Sequence, residues 1–181
     1  MSDVSLREQV KAQHNKAEGA KFAQLLVSGN ISRYEYALYL SNIYLIYRTL
    51  EQSVSKANFD FDLTPLYRTD LIAYDLQELN EGGLPTMQST IEYVSYLKRL
   101  FGVEPEKLLA HVYVRHFGDL FGGQIVRTKV PGDGKMYKFN EREQLIKSTR
   151  KLLQPSLGPE ANIGFQYAID LFEDLADELH L

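Results

Sequence analysis

The 181-residue sequence contains no cysteine. That absence excludes disulfides, zinc-thiolate sites, iron-sulfur clusters and thiol catalysis, and it fits a reducing compartment. Any metal must be held by His, Asp, Glu or Tyr. A basic surplus is also missing: the net charge is -4, which argues against a nucleic-acid partner gripped through a basic face. No apolar run approaches the roughly 18 residues of a membrane span. The opening "MSDVSLREQVKAQ" is charged from its third residue, unlike a secretory leader. These absences predict a soluble, cytoplasmic protein with no membrane partner. Strand-like alternation, internal repeats and low-complexity segments are lacking too, so the sequence predicts an all-α fold. Its length is ordinary for one domain, 1–181, large enough to close over a ligand pocket.

Helical periodicity is what remains. Apolar Leu6, Val10, Ala17, Phe22 and Leu25 predict a first helix from about Val4 to Ser28, closed by Gly29. Ser32 followed three residues later by Glu35 is a capping-box pattern opening a tyrosine-rich second helix through Leu50. Helices are predicted over Tyr67 to Asn80 and Met87 to Phe101, each closed by glycine, and a fifth from Pro105 to about Thr128. "PGDGKMYKF" reads as a turn or short hairpin. Asn140 with Glu143 predicts a cap for a sixth helix through Leu153, and Pro159 starts a last one. The sum is a bundle of roughly seven helices.

The fifth helix contains a costly stretch, "FGDLFGGQ". Gly118, Gly122 and Gly123 together cost roughly 3 kcal/mol relative to alanine in a helix interior. Gly118 and Gly122 are four apart and bare one strip of backbone, which either a packed helix or a flat ligand could use. Asp119 follows Arg115 by four, so the pair reads either as a surface ion pair or as a proton-positioning acid beside the strip. On the first helix, Arg7, Lys11, His14 and Glu18 fall on one stripe. His14 could ligate a metal while Glu18 orients its ring, or it could be a solvated boundary histidine. His111 and His116 are five apart, face different directions and are not expected to share a metal. "DELH" near the end is a chance resemblance to a ligand spacing. The twelve tyrosines are expected mainly in the core and its boundary, with one able to bond water in a pocket.

These residues match a family pattern. "EPEKLLAHVYVRHFGDLFGGQ" resembles the distal-helix signature of the heme oxygenases, and "KAQHNKAE" with "SNIYLIYRTLE" resembles their proximal helix and the one after it. The similarity runs from about Leu6 to Phe172. It implies a heme oxygenase-like bundle in which heme is both substrate and cofactor. His14 then falls on the proximal iron ligand and Glu18 on the residue supporting it. Gly118 and Gly122 fall on glycines whose backbone lies against the heme face, and Gly123 and Phe165 join the binding set. Asp119 falls on the acid that holds distal water for dioxygen activation, while Tyr47, Tyr113 and Arg115 match the same network. Arg7, Lys11 and Arg150 fall on basic positions near the propionates, with Lys147 one position away from a lysine many members carry, where Ile146 stands. Ala168 replaces an asparagine common in the last helix.

The implied reaction yields biliverdin, carbon monoxide and ferrous iron from heme and O2. No flavin or nicotinamide fingerprint is present, so an external electron donor such as a ferredoxin or flavoprotein reductase is implied, and a bilin reductase could consume the product. The lack of a terminal apolar anchor resembles the bacterial, viral or plastid type. The alternative is a heme or bilin carrier that keeps the fold without turnover. A di-iron oxygenase would need several Glu and ExxH ligands, and a thiamin-related hydrolase a cysteine; the former are not apparent and the latter is absent.

Overall fold

The computed structural model describes residues 4–181. The first three positions of the expected 1–181 domain, with the charged Asp3, lie outside the described residues. Every regular element among the described residues is helical, as predicted. They are α1 (Leu6–Glu18), α2 (Lys21–Ser28), α3 (Arg33–Ala57), α4 (Thr69–Leu79), α5 (Gln88–Val103), α6 (Leu108–Val112), a π-helical turn (Tyr113–Phe117), α7 (Gly118–Arg127), α8 (Arg142–Thr149) and α9 (Gly158–Glu178). The expected bundle is present, with two of the predicted helices each divided.

The first helix breaks where its glycine stands. The Gly19 N–H turns back to the Ala17 and Asn15 carbonyls, Ala20 is extended, and the Gln24 side chain takes the freed Glu18 carbonyl at 2.6 Å. Ser5 and Glu8 cap α1 reciprocally, and Ser32 and Glu35 do the same for α3 as the spacing requires. Helix α3 continues past Leu50 to Ala57 because Glu51, Ser53 and Val54 are still buried. Helix α4 ends on Asn80 in the left-handed region, not on a glycine, and α5 runs through Gly102. The predicted Asn140–Glu143 cap does not form: Glu141 takes a φ of 48° before α8, and no side chain caps that helix. Beyond Thr149 the chain tightens into a 3-10 turn over Arg150–Leu152. "PGDGKMYKF" is a turn closing on a 3-10 segment, Lys135–Tyr137, with no strand.

Helix α3 is the centre of the bundle, packed by α4 and α5. Its Tyr36, Leu38, Leu40, Ile43 and Leu50 are fully buried, and each large apolar side chain buried there stabilises the fold by about 1.5–3 kcal/mol. A second, smaller cluster joins α1, α6, the π turn and α9 through Leu6, Val10, Ala110, Val114 and Phe165. Helices α1 and α2 therefore lie on α9, while the run from α6 through the π turn to α7 crosses between α9 and α3. A cleft remains between α1–α2 and α7.

Candidate functional site

That cleft is a cavity of about 490 Å³, within the size range of small-ligand sites. Helix α1 contributes His14, Ala17 and Glu18; α2 contributes Leu26 and Val27; α9 contributes Phe165, Ala168 and Phe172. Across the gap stand Gly118, Asp119, Gly122 and Gly123 of α7, with Tyr113 and Arg115 of the π turn and Tyr47 of α3 behind them. Most of the wall is apolar. At the mouth, Val27, Phe121 and Ile125 are large apolar residues left 40–63% exposed, which costs solvation free energy unless something apolar covers them.

The π turn sets the back wall. Val114, Arg115, His116 and Phe117 are four consecutive buried residues, so this turn is enclosed on every side. Such widened turns often mark functional sites. The surface pairing of Arg115 with Asp119, one of the two sequence readings, is overturned: Arg115 is buried, its guanidinium 5.4 Å from the Tyr93 ring centroid, and it makes no ion pair among the described residues. Its Nε and one terminal nitrogen have no hydrogen-bond partner among the described residues.

Helix α7 explains its own glycines. A Cβ at Gly118 or Gly122 would meet nothing within 4 Å, so these two positions leave bare backbone facing open space in the cleft. Gly123 differs: a Cβ there would strike the Tyr137 ring at 2.5 Å. It lines the cleft, and its lack of a side chain makes room for the Tyr137 ring, which lines the cleft as well.

Asp119 sits beside that bare strip and accepts a hydrogen bond from the Tyr47 hydroxyl. Burial pushes its carboxyl up to about 6, against the pull of the Tyr47 bond and of positive charge on His116, Arg115 and Arg68. Burial likewise raises the Tyr39 hydroxyl to about 12 and the Tyr47 hydroxyl well above its ordinary value, so both remain neutral donors at physiological pH. Asp119 is the titratable group of the back wall.

On the opposite side His14 is half-exposed, its ring edge-on to Phe165 at 5.7 Å, with Nε2 3.5 Å from Glu18 Oε1. The i, i+4 spacing of these two residues on α1 makes the contact. Arg7 and Lys11 are exposed on the same stripe and outside the cavity lining. Arg7 is near enough to Tyr113, a lining residue, to oppose the burial that raises its hydroxyl. Lys147 and Arg150, on and just after α8, are exposed and outside the lining. No group of three or more metal-ligating side chains occurs among the described residues, which removes a di-iron cluster and the "DELH" spacing from consideration there.

Several participants were not singled out by the sequence. Glu51 accepts from His116, from the Arg68 and Thr69 backbone and from the Thr69 hydroxyl. His111 lies in a different network, bonded to Tyr93 at 2.6 Å and to Glu160 at 2.9 Å. Glu51 stands among Arg48, Thr49, Gln52 and Ser53 on α3, and no local signal distinguishes it from a solvated residue.

A planar, largely apolar ligand with a metal at its centre fits this donor set: one imidazole at the mouth, a bare main-chain wall opposite, and an acid held behind it. The comparisons agree. A family model described as heme oxygenase matches residues 3–154. The chain is 30% identical to heme oxygenase 1 of Homo sapiens over 206 residues, covering 97% of this chain and 72% of that protein. It is 27% identical to the heme oxygenase of Guillardia theta, covering 95% and 85%. Among solved structures, heme oxygenase-2 from Synechocystis sp. in complex with heme and NO superposes with a TM-score of 0.82 at 27% identity, covering 95% of this chain and 84% of that one. The heme oxygenase of Leptospira interrogans gives 0.82 at 26%, covering 92% and 96%.

Proposed function

The chain belongs to the heme oxygenase family, whose function is heme degradation, and from that premise we propose that it binds heme between α1 and α7 and, with O2 and external electrons, converts it to biliverdin, carbon monoxide and ferrous iron. One observation carries the reading: Gly118 and Gly122 leave uncovered backbone across an apolar cleft from His14. A methyl at either position would meet nothing within 4 Å among the described residues, so packing inside the protein does not require glycine there.

Heme, when bound, supplies the redox chemistry at its iron and is itself the molecule oxidised. The residues around it have separable tasks. His14 offers a ring nitrogen to the iron, and Glu18, 3.5 Å away, orients the imidazole and raises its basicity. Gly118 and Gly122 let the disc lie against main chain, while Phe165 and Tyr113 wall its edges. Asp119, fixed by the Tyr47 hydroxyl, titrates near neutrality and so can hold a proton on the distal side and return it through water. Buried Arg115 supplies donors and positive charge to the same water. Gly123 acts indirectly, by making room for the Tyr137 ring in the cavity wall. Arg7 and Lys11 on the α1 stripe, with Lys147 and Arg150, are assigned to the two propionates.

Electrons are assigned to a ferredoxin or flavoprotein reductase, since the sequence has no cofactor fingerprint of its own. Transfer of the bilin to a reductase, a cytoplasmic location and the action of residues 1–181 as one domain belong to the same proposal. Among the described residues no helix is long and apolar enough to cross a membrane. The test is a single turnover of the hemin complex with reductant and dioxygen, followed by chromatography of the pigment. A bilin and released carbon monoxide are expected. Heme that binds and persists unchanged would make the protein a carrier.

A further inference from the structure

His116 is buried beside the distal acid, and the mechanism above gives it no task. Tyr47 and Glu51 are one turn apart on α3. His116 and Asp119 stand three apart where the π turn enters α7, so the two pairs meet across the helix interface. Asp119 takes the Tyr47 hydroxyl. His116 Nε2 lies 3.4 Å from Glu51 Oε2, and its ring centroid is 4.9 Å from that of Tyr47.

Glu51 is a fixed acceptor. It receives the N–H of Arg68 at 2.9 Å, the N–H of Thr69 at 3.0 Å and the Thr69 hydroxyl at 2.9 Å. Burial pushes its pKa up, but the bond and charge of His116 and the two backbone N–H groups outweigh burial and hold it below the usual value. An ionised carboxylate can only accept, so His116 presents Nε2–H to it. The nitrogen left to gain or lose a proton is Nδ1. That atom is buried, on a residue 1% exposed, and it has no hydrogen-bond partner among the described residues. An orphaned buried polar atom of this kind costs about 1–3 kcal/mol unless water reaches it.

We propose that His116 is the reserve proton donor of the distal site: held by Glu51 through Nε2–H, it returns a proton from Nδ1 to Asp119 after Asp119 has released one. The Nδ1–H bond of the imidazolium breaks and an O–H bond forms on the Asp119 carboxylate, across bridging water. The ring is left neutral with Nε2–H still on Glu51, and solvent recharges Nδ1. No electrons move. His116 acts through Asp119 and is therefore a positioning residue. The groups facing it are Glu51 and Tyr47 from α3, Tyr67 before α4 with its ring centroid 6.5 Å away, and Arg68, Arg115 and Asp119.

The inference rests on the heme-cleavage reading, so its test has one arm without heme. In the heme-free protein labelled with 15N-histidine and 13C-aspartate, lowering the pH should protonate Nδ1 of His116, not Nε2, and the Asp119 carboxyl should respond to that event. In His116→Gln, which keeps a donor for Glu51 but cannot titrate, the Asp119 midpoint should rise by roughly one unit, the effect of a nearby screened charge. In the hemin complex, His116→Gln should keep the wild-type Soret band, lose about tenfold in single-turnover rate and lose the alkaline limb of the rate–pH profile. A His116→Gln protein with wild-type rate and profile overturns the proposal. So does a wild-type His116 whose Nδ1 never titrates, and that measurement decides the matter if the variant does not fold. A wild type that makes no bilin fails the heme-cleavage reading, and the labelled heme-free protein still decides whether His116 and Asp119 are coupled.

Discussion

Replacing Asp119 by asparagine should make the heme-free protein more stable and the enzyme inactive. The magnitude follows from one displaced ionisation. Burial lifts the Asp119 carboxyl from 3.8 to about 6, and each unit corresponds to about 1.4 kcal/mol between the two protonation states. Below about pH 4 the carboxyl is protonated folded or unfolded and contributes nothing. As pH rises the unfolded chain ionises first, so the folded state loses stability until about pH 6, after which the loss is constant at about 3 kcal/mol. Asparagine stays neutral, and its side-chain oxygen can still accept the Tyr47 hydroxyl. The variant should therefore gain about 3 kcal/mol near pH 7.5 but only about 1 kcal/mol near pH 4.5. For a chain of this length the gain near pH 7.5 is a rise of roughly 6–12 °C in Tm. Thermal or urea unfolding of both proteins at the two pH values measures it. An asparagine variant whose stability difference from wild type is the same at both pH values would refute the reasoning, since the gain must come from the ionised carboxylate. The accompanying loss of bilin formation with retained heme binding would make Asp119 a case of stability given up for function.

Gly118→Ala and Gly122→Ala should each stabilise the heme-free protein by about 0.5–1 kcal/mol through helix propensity, because the added methyl meets nothing, while weakening heme binding in a hemin titration. Gly123→Ala should instead destabilise by about 1–3 kcal/mol, measured by urea unfolding, because the methyl runs into the Tyr137 ring. Glu51→Ala should lower stability by about 2–4 kcal/mol, since it strands the Arg68 and Thr69 N–H groups and the His116 ring. A wild-type unfolding midpoint for Glu51→Ala would show that water replaces the carboxylate at no cost.

Much of this architecture could be read in the chain because its signals are local. The Ser32–Glu35 box and the i, i+4 placement of His14 and Glu18 need only neighbouring residues, and both appear where the spacing puts them. The break at Gly19 had its glycine in view, but Phe22 and Leu25 extend the apolar pattern beyond it; tertiary packing of α2 on α9 keeps those positions inside after the chain has turned. The Asn140–Glu143 signal failed because Glu141 takes up the left-handed conformation there. The distal half of the site is non-local. Asp119 meets Tyr47 from 72 residues away, and its role was suggested by family resemblance, not by spacing. The π turn has no compositional signature, and the burial of Arg115 and His116 follows from the elements packed around it. His111 and His116, expected to face different directions, lie in separate networks, one with Glu160 and the other with Glu51.

The central claim is that the half-exposed imidazole of α1 ligates a heme iron across from the glycine strip of α7. Hemin titration of wild type and His14→Ala, followed by absorption spectroscopy, tests it most directly. Wild type should give the Soret spectrum of a single-histidine complex, His14→Ala should lose it, and added imidazole should restore it by entering the space left at the mouth. An unchanged spectrum and affinity in His14→Ala would place the iron elsewhere and contradict the account.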